Sequence, residues 1–145
     1  MSQRVLVPMD FKPGSERALE WAVDYVRDRG GALDVVHVVP RLHQLDPFFR
    51  AGSLPSQSVA AIRERAAERL AQLLRHKRVR YHLHVVEGDP ATCIAEQAVA
   101  LHPSIIVVGT SGRSSAARLF LGSVAEKIVH TSTVPVVTVP MPAAK

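Results

Sequence analysis

A single cysteine in 145 residues excludes an internal disulfide framework. That residue, Cys93, lies beside Ile94 and Ala95 in an apolar helical pattern and is expected to pack as a small buried hydrophobe. No apolar run approaches the roughly 20 residues that span a bilayer, so no membrane partner is expected. The opening MSQR passes at once into VLVPMD, a short run stopped by a carboxylate, which lacks the layout of a signal peptide; a cytoplasmic location is expected. Several signatures are missing as well. Without G-x4-G-K-[ST] or G-x-G-x-x-G, neither a standard NTPase nor a Rossmann dehydrogenase is supported, and no G-x-S-x-G elbow appears. Seven histidines have no accompanying cysteine or carboxylate cluster, although His82 and His84 share a strand face, so no metal site of the protein's own is expected.

What is present is an ordinary globular composition, 47% hydrophobic and 21% charged, at a length suited to one domain over residues 1–145. The formal net charge is +5, enough to steer anions generally. The excess is mostly arginine and concentrates between Arg63 and Arg80. Its densest part, RHKRVR (75–80), falls at a helix end, where cations offset the helix dipole. It also lacks interleaved aromatics apart from Tyr81, so a solvated helix terminus is the favoured reading over a nucleic-acid surface.

The chain alternates between two periodicities. RVLVPMD gives a first strand, and FKPGS is a turn that hands over to a helix carrying Ala18, Leu19, Ala22, Val23 and Val26 at helical spacing until Gly30-Gly31. LDVVHVV (33–39) is rich in β-branched residues and reads as a buried second strand. After a long polar, proline-containing stretch, a helix from near Ser58 places Val59, Ile62, Ala66, Leu70 and Leu73 along one face. RYHLHVV (80–86) is a third strand, and Asp89 is expected to cap a helix opening on Pro90. SIIVV (104–108), a helix over 123–132 and VPVVTV (134–139) complete the order β-α-β-α-β-α-β-α-β.

Alternating helices and continuously apolar strands predict a doubly wound α/β parallel sheet with helices on both faces. Such sheets bind ligands at the carboxyl ends of strands where the winding reverses. The loops after the first and fourth strands, VPMDFKPGS and GTSGRSS, are therefore the places for a site.

The second of these carries the chemistry. Residues 109–124, GTSGRSSAARLFLGSV, hold Gly109, Gly112 and, after nine further positions, Gly122-Ser123. Glycine lets successive N–H groups converge on an anion, and the later pair stands where a helix begins, with its unsatisfied N–H groups. Thr110, Ser114 and Ser123 add hydroxyls, while Arg113 and Arg118 add positive charge. The competing reading is structural. Gly109 could simply end a strand, and Ser123 with Glu126 three residues on fits a capping box.

The combined spacing G-x2-G-x9-G-[ST] resembles the ATP-binding signature of the universal stress proteins. RVLVPMD, DVVHVV, EGDPATCI and GSVAEKIVHTSTVPVVTV extend the resemblance along the whole chain. It implies a Rossmann-like sheet of the adenine nucleotide alpha hydrolase type, with strand order 3-2-1-4-5. It also implies a phosphate- and ribose-binding loop from Val108, Gly109, Thr110, Gly112, Arg113, Gly122, Ser123 and Val124. Asp10, after Pro8 and Met9, matches the carboxylate that contacts the nucleoside, and Val38 the position whose backbone meets the adenine. Asp10 is equally readable as a loop carboxylate capping the region of the first helix. The chain departs from the family in having Ser111 where histidine is frequent, with the glycine spacing kept, and in Ala116-Ala117.

The ligand so implied is ATP or another adenine nucleotide, with Mg2+ held by its phosphates and water. No general base stands beside the cradle in the sequence, so a binding module in stress response or regulation is expected, with a slow ATPase and a non-nucleotide-binding relative acting through protein contacts as the alternatives. Universal stress proteins resemble one another in pairing through the last strand, making Val136, Val137 and Val139 candidates for a homodimer contact; a regulatory protein partner is also expected. Phe48 and Phe49, beside Asp46 and Pro47 in the long loop, are expected to cover the nucleotide or a partner subunit.

Overall fold

A computed structural model of the chain describes residues 3–39, 56–110 and 121–142. In chain order its elements are β1 (Gln3–Pro8), α1 (Pro13–Arg29), β2 (Gly31–Val39), α2 (Ser56–Leu73), β3 (Arg80–Glu87), α3 (Pro90–Leu101), β4 (Ile105–Gly109), α4 (Ser123–Thr131) and β5 (Val136–Val139). All five strands are parallel and lie in the order β3-β2-β1-β4-β5, as the resemblance implied. The three central strands, β1, β2 and β4, are largely apolar on both faces because both faces are covered.

Alternate residues of each strand feed two cores. Val5, Val7, Val35 and Val107 face α1 and α2, packing against Leu19, Val23, Val26, Leu70 and Leu74. Leu6, Val36, Ile106 and Val108 face the other way, against Ile94 of α3 and Ala125 and Ile128 of α4. The α2 stripe differs from its expected form. Ala66, Leu70 and Leu74 are buried, at steps of i, i+4, whereas Val59 stays 37% exposed. The core therefore follows a single i±4 row and runs past the helix end to Leu74. The cations of RHKRVR lie beyond that end, with Arg75, His76, Lys77 and Arg78 all exposed.

β5 is one edge of the sheet and β3 the other. Pro135 and Pro140 bracket β5, consistent with an edge, where a missing N–H breaks no ladder. Val139 is buried in the α1-side core, with Val137 packed against the same core and Val136 against the opposite one. Thr138 is the exposed residue of this strand. Cys93 is buried as expected; its Sγ lies 3.7 Å from the Glu87 carbonyl. No helix among the described residues is long and apolar enough to cross a membrane.

Candidate functional site

The winding reverses between β1 and β4, because β1 continues through β2 on one side and β4 through β5 on the other. The loops leaving these two strands meet at the carboxyl edge. Pro8 is the last rung of β1 against Val36, and the Met9 N–H still reaches the Val36 carbonyl at 2.8 Å. Met9 is buried and its sulfur lies 3.3 Å from the Phe11 N–H. Asp10 is exposed; its Oδ1 accepts from the Lys12 N–H at 2.9 Å and the Ser15 hydroxyl at 2.6 Å. This is an Asx turn, so the structural reading of Asp10 holds for one carboxylate oxygen. α1 itself has Lys12 as its N-cap, with no side-chain cap.

The two loops are joined backbone to backbone. A Cβ on Gly109 would overlap the Gly14 carbonyl oxygen, and a Cβ on Gly14 would overlap that of Thr110. Only glycine permits this approach. Gly109 thus has a packing role beside the one expected of it, and Gly14, which the sequence offered only as part of the turn FKPGS, proves to be its partner. Thr110 is buried; its N–H donates to Val139 at 3.1 Å and its Oγ1 accepts from the Met141 N–H at 3.2 Å. That hydroxyl ties the exit of β4 to the exit of β5. Val108 is buried in the α3/α4-side core, so at this edge it offers backbone alone.

α4 supplies the next wall. Its N-cap is Gly122, with extended backbone and no side-chain cap, and its first intrahelical bond runs from Glu126 N–H to Gly122 carbonyl at 2.9 Å. The competing Ser123–Glu126 capping box is therefore not formed: Ser123 is already the first helical residue, one place too late to cap. The N–H groups of Ser123, Val124 and Ala125 precede the first intrahelical bond. Because the helix runs antiparallel to the strands it connects, these groups and the positive end of its dipole stand at the carboxyl edge. Ser123 is exposed and Val124 half-buried against the core. Gly112 and Arg113, like Ser114, Arg118, Phe48 and Phe49, lie outside the described residues.

Val38, next to last in β2, has its side chain against the α3/α4-side core. Backbone direction alternates along a strand, and the Val36 carbonyl accepts from Met9 on the β1 side while the Val39 carbonyl accepts from Gly88 on the β3 side. Val38 N–H and C=O consequently point toward β1, one step past its last rung.

Beside the crevice, Phe11 occupies the left-handed region at φ 61°, a conformation costing about 1–2 kcal/mol for an L-residue with a side chain. Its ring lies edge-on to His37 at 5.1 Å, with the Arg69 guanidinium 5.5 Å from its centroid. These residues and Ile62, Arg65 and Ala66 line a cavity of about 240 Å³. A larger cavity, about 460 Å³, lies between α3 and α4 at the opposite edge, among Ala98, Val99, His102, Ile128 and Val134.

Among the described residues, the most deeply buried charge lies away from the loops. Asp34 has no exposed surface and accepts both Arg4 Nε and Nη2 at 2.7 Å and His84 Nε2 at 2.9 Å. Burial pushes its carboxyl up, but the Arg4 and His84 hydrogen bonds outweigh this and hold it below the ordinary carboxylate value, while the same bond raises the Arg4 guanidinium. Sequence reasoning passed over this cluster, though a lone acid in LDVVHVV was the signal for it. Among the described residues there is no group of three or more His, Cys, Asp or Glu side chains able to hold a metal ion.

A doubly wound parallel sheet, with glycine backbone and an uncapped helix terminus at its reversal point, defines the Rossmann-like α/β class. Within that class the chain belongs to the universal stress protein family, whose model matches residues 1–140. It is 27% identical to a universal stress protein of Methanocaldococcus jannaschii over 97% of this chain and 83% of that one. It is 32% identical to one from Mycolicibacterium smegmatis, of whose length it spans 45%. Among solved structures, a universal stress protein family member from Burkholderia pseudomallei superposes with a TM-score of 0.72 at 26% identity, covering 96% of each chain. The fold is shared with a universal stress protein in complex with cAMP, at TM-score 0.65, 22% identity and coverage of 95% and 96%. It is shared too with the Archaeoglobus fulgidus protein in complex with dAMP, at TM-score 0.66, 20% identity and coverage of 95% and 97%.

Proposed function

We propose that the chain is an adenine-nucleotide-binding regulatory module, with ATP as the ligand and Mg2+ held by its phosphates. The observation that carries this reading is α4 opening on Gly122 with no side chain of its own over the first-turn N–H groups. A bare helix N-terminus favours phosphate oxygens through both hydrogen bonding and the dipole. The donors at the α4 terminus are neutral backbone, which suits an anionic group and leaves a divalent cation to the phosphates. The complexes of family structures with cAMP and dAMP support the same ligand class. In this reading Gly109, Gly112, Arg113, Gly122, Ser123 and Val124 hold phosphates and ribose, while Pro8, Met9, Asp10 and Val38 flank the nucleoside. Retained ATP, ADP or AMP in heat-denatured purified protein, with heat released on titrating Mg-ATP, is the expected result; neither signal would end the reading. Phosphate release that Gly122→Val abolishes would instead make it a slow ATPase.

The free edge of β5 supports pairing with a second copy through strand backbone, with Val136 and Val137 bordering that seam and Val139 shaping it from within. Light scattering at micromolar concentration should report a dimer, and a monomer removes the idea.

A further inference from the structure

We propose that His37 is a positioning residue that ends the β1–β2 ladder one rung early and so leaves the Val38 backbone groups open to the base of a bound nucleotide. The inference deepens the nucleotide reading and rests on it. A parallel ladder continued beyond Met9 N–H to Val36 carbonyl would next pair Val38 N–H with the Met9 carbonyl. His37 Nδ1 stands 2.7 Å from that carbonyl. A carbonyl only accepts, so Nδ1 carries the proton and the imidazole takes the place of the next rung. The ladder accordingly ends at Pro8–Val36, and Val38 presents a donor and an acceptor on the crevice side. An adenine edge, which also carries adjacent donors and acceptors, is complementary to such a pair.

The ring is held for this task from the other side. Phe11 packs edge-on against it, and the Phe11 backbone is fixed by its N–H to the Met9 sulfur. Met9, Phe11 and His37 form a closed unit in which the imidazole bonds the backbone at one end and the aromatic ring braces it. A lone histidine in the apolar run LDVVHVV is thereby explained: an apolar side chain would fill the same space and leave the ladder to run on.

The test uses His37→Phe, which keeps a ring against Phe11 and removes the donor, and His37→Asn, whose amide nitrogen falls where Nδ1 does. In His37→Phe the Val38 amide should exchange with solvent at least about tenfold more slowly in the ligand-free protein, as the rung forms. Its affinity for AMP should fall about tenfold while that for inorganic tripolyphosphate stays unchanged. His37→Asn should restore both. Unchanged Val38 exchange and AMP affinity in His37→Phe overturn the proposal, and so does an equal loss for AMP and tripolyphosphate, which would mark a general structural role. Wild-type protein that binds neither ligand ends the nucleotide reading and the base-recognition role with it, while Val38 exchange still decides whether His37 ends the ladder.

Discussion

Helices α3 and α4 both begin at the carboxyl edge of the sheet, yet their first turns are finished in opposite ways. α3 carries its own anion. Asp89 accepts the Thr92 N–H at 3.1 Å and its hydroxyl at 2.8 Å, and Pro90 removes one orphan donor outright. α4 starts at Gly122 with no side-chain cap. The connection into α3 is also short and self-contained: Gly88 donates to Val39, and a Cβ there would stand 2.9 Å from Cys93 Sγ. The contrast teaches why the proposed site lies where the chain withholds a cap, since a first turn already bonded to a carboxylate has little left for a phosphate. It also separates binding from burial. The Arg4–Asp34–His84 cluster has the deepest charge in the described residues, but its hydrogen bonds are directed inward to one another.

The most severe way to break the α4 side of this contrast is to disturb what holds its crevice together. Gly109→Ala pushes a methyl group into the Gly14 carbonyl, which belongs to backbone and cannot rotate away. We expect a loss of about 3 kcal/mol in urea unfolding, at the upper end for overpacking. A loss below about 1 kcal/mol would show that the two loops are not pinned at that point. Next in size is Gly122→Asp, which gives α4 the cap that α3 has. Nucleotide affinity should fall about 100-fold, or about 2.7 kcal/mol, with the melting temperature unchanged or higher because Asp is a better N-cap than Gly. Calorimetric titration showing wild-type affinity would remove the bare terminus as the phosphate site.

Asp34→Asn tests the inward-facing cluster. Arg4 and His84 would lose a shared charged acceptor, and unfolding at pH 7 should be easier by about 2 kcal/mol. The pH dependence has a definite sign. The folded carboxyl lies below its ordinary value, so its contribution is full above the unfolded value of about 3.9 and is lost as pH falls through the folded one. The stability difference between wild type and Asp34→Asn should shrink as the pH drops below about 4, while nucleotide affinity at pH 7 stays unchanged. A difference that instead grows in acid would contradict the depressed carboxyl.

Much of this was legible in the chain, for identifiable reasons. The alternation of strands and helices, the Asp89 cap and the helix faces follow from periodicity and from residues whose effect is local, such as Pro90, whereas the order of the strands across the sheet came from the family resemblance. Less legible was whatever depends on two distant segments meeting. Gly14 looked like an ordinary turn glycine because its partner, Gly109, lies far along the chain. Asp34 and His37 sat as two polar residues in one apolar strand, and nothing local revealed that one bonds Arg4 and His84 while the other bonds the Met9 carbonyl. Ser123 was ambiguous between cap and first helical residue, a shift of one position that decides whether the terminus is open. Even the α2 stripe was read correctly in period and wrongly in phase at Val59, since periodicity specifies a face but not where the sheet beneath it ends.

The smallest expected effect comes from Asp89→Ala, and it isolates the comparison best because it opens α3 without touching α4. Losing the cap should lower the melting temperature by about 3 °C. The Asp89 carboxyl is held below the usual carboxylate range first by the Thr92 backbone N–H, then by the Thr92 hydroxyl. Its contribution is therefore complete above about pH 4 and fades as the folded carboxyl is protonated. Melting curves of wild type and Asp89→Ala should converge in acid and separate toward neutrality. Nucleotide affinity should be unaltered, because an opened α3 terminus has Pro90 where an amide would be needed and no glycine-rich loop beside it. If Asp89→Ala instead acquires a second nucleotide site in calorimetric titration, a bare first turn suffices to bind and the glycine seam between β1 and β4 is dispensable. If it stays at the wild-type stoichiometry while Gly122→Asp loses binding, the terminus and the seam are both required.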